Sequence, residues 1–447
     1  VQLFNLNLVH APGQVFDLVA RRVRELTPEL LRFAPLLGDL LGLPFAETPL
    51  IVALTPQQRH ARTAELFEEL LLAEARTHPF ALIADDLHWA DASSRELLAR
   101  LAGNVAGAPL LLLLGYRLDP SITEPWREQP NCMRIELREL PPESCTRLMH
   151  ELLRGEPPPE LATLVDKTQG NPFFIEELVR SMVETGALAQ QGATWQLTRP
   201  LDDASVPDSI EGVITARLDR LDDRNRDVVQ TAAVIGRRFP YPVLSGVMSD
   251  TQSLQAQLHI LAQTDLIAAE ELDQELAYLF RHVLTRDVAY EAILYARRRG
   301  LHRRVAQRIE LLHANRLDDQ LALLARHYLL AEDWGRAFDY HLRAGRQAQA
   351  RYANREAIAL FERALQIVER QEAHTPQPEG AVSSAAFAVP GGQLVELNER
   401  LGVVYALIGE YDAALEHYAR ALDILGQQPD ATIDETVRLH HHIARVH

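Results

Sequence analysis

Two unbroken apolar runs constrain this chain more than any other feature. Phe80-Ala81-Leu82-Ile83-Ala84 stops at Asp85-Asp86, and Leu110–Leu114 stops at Gly115-Tyr116-Arg117. Between them, Ser93–Ala102 places apolar residues at three- and four-residue spacing, with Gly103, Gly107 and Pro109 as punctuation. A strand whose residues are all apolar has no solvent face. Strand, helix, strand of this kind therefore predicts a parallel sheet covered on both faces, an α/β core.

The remainder reads as helix. Val15–Leu26 and Pro56–Ala75 carry a helical period, and Pro35, Pro44 and Pro49 mark loop and short helix between them. Three helical pieces follow at Pro142–Leu153, Glu160–Thr168 and Pro172–Thr185, the last after Gly170-Asn171. Over 206–296 two helices, Ser209–Leu221 and Asp223–Ile235, precede another around Ser253–Ala262. Two β-like runs then appear, Leu266–Ala269 and Leu276–Phe280, and these are expected to pair as a hairpin. Helices followed by a hairpin is a winged-helix order. Beyond Arg297 all ordered sequence is helical, interrupted by a Pro/Gly/Ser/Ala linker over Glu372–Gly392.

The helical tail repeats itself. Leu401-Gly402, Tyr405, Gly409, Tyr411, Ala414, Tyr418 and Ala421 follow tetratricopeptide spacing, in which small residues let two antiparallel helices approach and aromatics fill the gap. A poorer copy runs Tyr328, Trp334, Ala337, Ala344, and another helix carries Ala357, Phe361 and Ala364. An ordinary bundle with alanines at its crossings is the alternative.

At about 150 residues per domain, 447 residues suggest roughly three domains, and 47% hydrophobic residues exclude disorder of the whole chain. Two cysteines, Cys132 and Cys145, exclude a disulfide framework or cysteine zinc cluster. No apolar run approaches the roughly 20 residues that span a bilayer, and no signal peptide opens the chain, so a cytoplasmic protein is expected. The balance of 45 basic against 62 acidic residues would repel DNA over most of the surface. Lys167 is the only lysine. A start at Val1 and a stop at His447 inside a helical pattern read as a piece cut at both ends.

Asp85 and Asp86 are the sharpest chemical signal. Nucleotide triphosphatases use adjacent carboxylates at the tip of a buried strand to hold Mg²⁺ and polarise a water. The plainer reading is a pair of acids capping the helix near Ser93, although Asp91-Ala92-Ser93-Ser94 looks like the actual cap.

The strings LIADDLHWADASSRELL, PLLLLLGYR and GNPFFIEELVRSMVETGAL, continued by VPDSIEGVITARLDRL and FRHVLTRDVAYEAILYARRRGLHRRVAQRIE, resemble the signal-transduction ATPases with numerous domains (STAND), a group of P-loop ATPases. The resemblance runs through most of the chain in order. It implies a partial P-loop core over 1–135, a helical lid over 136–205, a winged helix over 206–296, repeats over 297–371, a linker over 372–392 and further repeats over 393–447.

Residue by residue, Asp85 resembles the Walker B carboxylate that holds Mg²⁺, and Asp86 the acid that orients the hydrolytic water. Arg117 resembles the arginine that senses the γ-phosphate, for which a guanidinium is well suited. Its plain reading is a solvated strand-end arginine. Asn171 and Pro172 resemble the lid motif that packs near adenine; without the family they are a helix start with Pro in the first turn. His88 and Trp89 are candidates for the rim of the site, or for ordinary packing. ATP and Mg²⁺ are the implied cofactors.

The pattern departs from the family at one place. No Gly-x-x-x-x-Gly-Lys-Ser/Thr loop occurs, and Lys167 lies in the lid region. The loop is expected upstream of Val1, leaving half of an ATP site here and feeble ATP-Mg²⁺ binding. Arg297-Arg298-Arg299 with Arg303-Arg304 invites a nucleic-acid reading, but no aromatics interleave as stacking platforms. His440-His441-His442 lacks metal-ligand spacing and reads as a solvated face.

The expected function is an ATP-dependent signalling switch. Its repeats take a protein or small-ligand input, and its output domain lies outside these residues, closer to a class III adenylate or guanylate cyclase than to a DNA-binding domain. The arrangement allows an oligomer and needs no membrane. The rival is a non-enzymatic repeat scaffold with a degenerate ATPase fold.

Overall fold

The computed structural model describes residues 12–38, 45–46, 48–87, 90, 92–117, 126, 129–191, 194–198, 207–272, 275–374, 389–428 and 432–446. Asp91, His88 and Trp89 lie outside the described residues, as does most of the expected linker. The chain divides into two compact units, Val1–Arg134 with Asn315–Leu329 and Asp333–His447, and Ile135–Ala314 with Leu330–Glu332.

The first unit opens with α1 (Pro12–Leu26), a 3-10 turn (Pro28–Leu36), a single helical turn α2 (Pro49–Val52) and α3 (Pro56–Thr77). Thr55 starts α3 with a capping box: its hydroxyl accepts from Gln58 N while the Gln58 side chain accepts from Thr55 N. Val15, Val19, Val23, Phe33, Leu36, Leu66 and Leu70 form the core beneath these helices. Strand β1 (Phe80–Ala84) follows, then α4 (Ala92–Asn104) and β2 (Leu110–Leu114).

The two strands are parallel, in register from Phe80↔Leu110 to Ala84↔Leu114. One face packs: Phe80, Leu82, Leu110 and Leu112 meet Leu71, Leu72, Ala75 and Leu101. The other face is bare, with Ile83 68%, Leu111 58% and Leu113 44% exposed. Coverage on both faces, which the continuous apolar runs suggest, is thus found on one face only. Helices α3 and α4 both pack on the face of Phe80 and Leu82, and no described residue covers the other.

The second unit begins with α5 (Pro142–Leu153), α6 (Ala162–Thr168) and α7 (Pro172–Glu184) around Cys145, Met149, Leu161, Ile175 and Leu178. A hairpin of β3 (Leu188–Gln191) and β4 (Thr194–Leu197) adds to this core, with the Trp195 indole donating to Leu153 O at 2.9 Å. The sequence reading missed this hairpin. Next come α8 (Ile210–Asp219), capped by Ser209, and α9 (Asp223–Ile235), capped by Asp222.

Strand β5 (Arg238–Pro240), α10 (Tyr241–Val247), α11 (Leu254–Gln263), β6 (Ile267–Leu272) and β7 (Glu275–Phe280) complete an antiparallel sheet of order β5-β7-β6. The expected hairpin is present, with Ala269 opposite Tyr278. Helices α12 (Val283–Glu291) and α13 (Tyr295–Leu312) close the unit.

The helical tail belongs to the first unit: α14 (Leu321–Leu330), α15 (Trp334–Ala350), α16 (Asn354–His374), α17 (Gly391–Leu407), α18 (Tyr411–Gly426) and α19 (Ile433–Val446). Helix α16 runs to His374 and α17 begins at Gly391, so the expected linker is helical at both edges. Successive helices pack as antiparallel pairs because a small residue on one admits an aromatic from the next. Gly345 on α15 lies against Phe361 of α16, and Gly402 on α17 against Tyr418 of α18. No described helix is long and apolar enough to cross a membrane.

Candidate functional site at the tip of the parallel strands

Side chains alternate along a strand, so Ala81 and Ile83 share one face of β1 and Leu111 and Leu113 the matching face of β2, while Asp85 follows β1 directly and Gly115-Tyr116-Arg117 follow β2. Because the strands are parallel, both tips lie at one carboxyl edge. The order of exposure agrees, since Asp85 and Arg117 are exposed alongside the bare apolar face. The strand pairing thus sets Asp85 directly after the tip of β1, and Arg117 follows the tip of β2 by three residues.

The tips are tied by two backbone bonds, Gly115 N to Ala84 O at 2.8 Å and Leu87 N to Gly115 O at 3.0 Å. Asp85 turns its carboxylate back so that Oδ1 accepts the N–H of Asp86 at 2.9 Å. Asp86 takes φ +57°, the left-handed region that an Asp tolerates better than most residues. This turn returns Leu87 to the packed side, where it is buried with Ala102 and Trp126 beside Ala84, Leu112 and Leu114. Tyr116 meets Trp126 edge-on at 5.7 Å.

Asp86 therefore leaves the strand alternation, and the two carboxylates are held at a tight turn rather than along an extended tip. Sequence reasoning passed over Gly115. Its signal was a glycine directly after five leucines, with no turn chemistry to require it.

Asn171 and Pro172 lie in the second unit. Asn171 is the N-cap of α7, its side-chain oxygen accepting from Phe173 N at 3.0 Å and Phe174 N at 3.3 Å, and Pro172 fills the first helical position. The turn before them needs glycine: Gly170 has φ +68°, and a Cβ there would collide with the backbone of Leu140, whose N–H donates to Gly170 O at 2.9 Å.

Phe173 stacks on His282, ring centroids 3.8 Å apart. Burial pushes the His282 imidazole below its ordinary value, opposed by the nearby Glu177 and aided by Arg180, Arg281 and Arg217. Behind the stack, Arg217 and Glu177 are both buried and paired at 2.8 Å, with Glu184 3.2 Å from Arg217 and Arg180 3.5 Å from Glu177. Arg217 also donates to Thr264 O. This pair joins α7 to α8 and was not foreseen in the sequence, where Glu177 and Arg217 stand 40 residues apart.

Mg²⁺ on a nucleotide is held by one or two carboxylates plus phosphate oxygens and water. Asp85 and Asp86 supply hard oxygen donors of that kind, and the Asp85 carboxylate lies where a Cβ on Gly115 would be. Among the described residues no cluster of three metal-ligating groups occurs, and such a nucleotide-borne ion requires none. The carboxylate side of a Mg²⁺ site thus fits; the phosphate-cradling loop is not in these 447 residues.

Residues 12–113 match the AAA ATPase domain family, a segment that ends within β2. An uncharacterized protein of Rhizobium meliloti (strain 1021) is 28% identical over 307 residues, covering 66% of this chain and 29% of its own length. The chain thus spans about three tenths of that relative. A crystal structure of a STAND protein with a tetratricopeptide repeat sensor from Pyrococcus horikoshii aligns with 98% of this chain and 61% of its own at 13% identity, with a TM-score of 0.41.

Proposed function

We propose that this chain is the nucleotide-responsive and repeat-bearing part of a STAND-type signalling ATPase. The observation that carries the reading is Asp85 directly after a strand of the AAA ATPase segment, with Arg117 three residues beyond the end of its parallel partner. In this reading Asp85 holds Mg²⁺, Asp86 orients the hydrolytic water and Arg117 meets the γ-phosphate. Asn171 and Pro172, in the lid helices over 136–205, take the adenine side. Bound ATP-Mg²⁺ supplies the charge these residues recognise.

The sheet order β5-β7-β6 behind α10 and α11 supports a winged helix over 206–296, acting as an internal clamp. Repeats over 297–371 and 393–447, flanking the linker over 372–392, take a protein or small-ligand input in their groove. Support comes from the Gly345–Phe361 and Gly402–Tyr418 packing. The output is a covalently linked domain, with a class III cyclase preferred to a DNA-binding domain, and the whole is a cytoplasmic switch open to oligomerisation. Most of the arginines of the Arg297–Arg304 stretch are engaged: Arg297 with Asp227, Arg298 with Glu291, Arg299 with Glu332 and Arg304 with Val247 O. This favours an intramolecular role over nucleic-acid contact.

One observation favours the scaffold reading, the lack of a phosphate-binding loop in these residues. Titration of the full-length protein with a fluorescent ATP analogue, with and without Mg²⁺, separates the two. The switch reading expects micromolar or tighter Mg²⁺-dependent binding that Asp85→Asn abolishes, and much weaker binding by residues 1–447 alone. No Mg²⁺-dependent binding by the full-length protein would leave the scaffold.

A further inference from the structure

Glycine at position 115 is not required by its own backbone. It lies outside the left-handed region, its N–H and carbonyl make ordinary strand-type bonds to Ala84 and Leu87, and it sits beyond the regular pairing of β2. What a side chain there would meet is Asp85. A Cβ on residue 115 would lie inside 3.0 Å of Asp85 Oδ1, 3.3 Å from its Cγ and 3.5 Å from its Cα. The same Oδ1 accepts the Asp86 N–H, the bond that accompanies the left-handed turn.

We propose that Gly115 is the positioning residue for the Asp85 carboxylate. Its missing side chain lets the carboxylate fold across the neighbouring strand tip and lock onto Asp86. The inference rests on Asp85 being the Mg²⁺-holding acid. A methyl at position 115 pushes the carboxylate off its present rotamer and releases the Asp86 N–H. Asp85 is exposed, so the carboxylate swings into water and the fold itself is undisturbed. Groups that orient a metal ligand typically change metal affinity by about 10–100-fold when altered.

The test uses the full-length protein and a fluorescent ATP analogue, reading the Mg²⁺ concentration at half-maximal binding. Unfolding in urea is followed in parallel. Gly115→Ala is expected to raise the Mg²⁺ midpoint about tenfold while the urea midpoint stays put, and Asp85→Asn to remove the Mg²⁺ dependence. In the double variant Gly115→Ala/Asp85→Glu, the longer carboxylate reaches past the methyl and recovers part of the loss. A Gly115→Ala protein with the unsubstituted Mg²⁺ midpoint, alongside a deficient Asp85→Asn, overturns the positioning role and spares the site. A lowered urea midpoint for Gly115→Ala also overturns it, since glycine is then a packing requirement. Unchanged Mg²⁺ dependence in Asp85→Asn removes the underlying assignment and this inference with it.

Discussion

Gly402 of α17 lies so close to the ring of Tyr418 on α18 that a Cβ there would come inside 3.0 Å of three ring carbons. The same relationship joins Gly345 to Phe361 one helix pair earlier. In both pairs the aromatic ring is fully buried and occupies the space that a side chain on the facing helix would need.

Alanine substitution should therefore split the helical glycines by sign. Gly402→Ala and Gly345→Ala overpack a filled gap and are expected to destabilise by about 1–3 kcal/mol. Gly300, inside α13 with open space where a Cβ would project, should gain up to about 1 kcal/mol from helix propensity alone. Urea midpoints of the three single variants check this, and a stabilised Gly402→Ala would contradict the packing account.

Removing Arg217 leaves Glu177 buried with only the more distant Arg180 for charge. Arg217→Ala is expected to cost about 3–5 kcal/mol, whereas Arg217→Met/Glu177→Gln should recover much of that loss. A double-mutant cycle in urea measures the difference. Equal losses for the single and double variants would show that the pair matters for volume, not charge.

Acid should weaken the fold in two stages. Burial holds His282, His341, His417 and His442 below the ordinary histidine value. The unfolded chain therefore binds protons that the native state resists. Their contribution is complete above the unfolded value of about 6.5 and is lost as pH falls through the lower native values. Glu396, whose carboxylate is held down by its bonds to Arg400 and Arg346 against the opposing effect of burial, adds a second loss only below about pH 4.5. Urea midpoints at pH 7.5, 6 and 5 should fall steadily, and His341→Gln should flatten the first stage.

Asn171 separates a structural from a binding role. Asn171→Ala removes the cap of α7 and should lose about 1 kcal/mol. Asn171→Ser keeps a capping oxygen and should restore stability. If Asn171 also faces the nucleotide, Asn171→Ser will still bind the ATP analogue less well than the unsubstituted protein; full affinity in that variant would limit the residue to capping.

Much of the architecture was legible because it rests on local rules. The helical period placed α8 and α9 within two residues, and five consecutive leucines after punctuation read as strand. What escaped depends on partners distant in sequence. Leu111 and Leu112 are chemically identical, yet one is bare and the other packed, because the decision belongs to α3 and α4. Strand β5 is three residues long and exists through pairing with β7. Nothing near Arg217 in the sequence announces its partner, because Glu177 arrives from α7. At the candidate site, the place of Asp85 and Asp86 after an apolar run was readable in the sequence, while the left-handed turn of Asp86 and the clearance at Gly115 required coordinates.

The uncovered aliphatics of the strand pair carry a practical consequence. Ile83, Leu111 and Leu113 form a greasy plate beside a strand edge that no described residue pairs, the combination that draws polypeptides together in solution. Handled by themselves, residues 1–447 should light up a hydrophobic dye and scatter more light as they are concentrated, and threonine at Ile83 and Leu113 should quiet both signals.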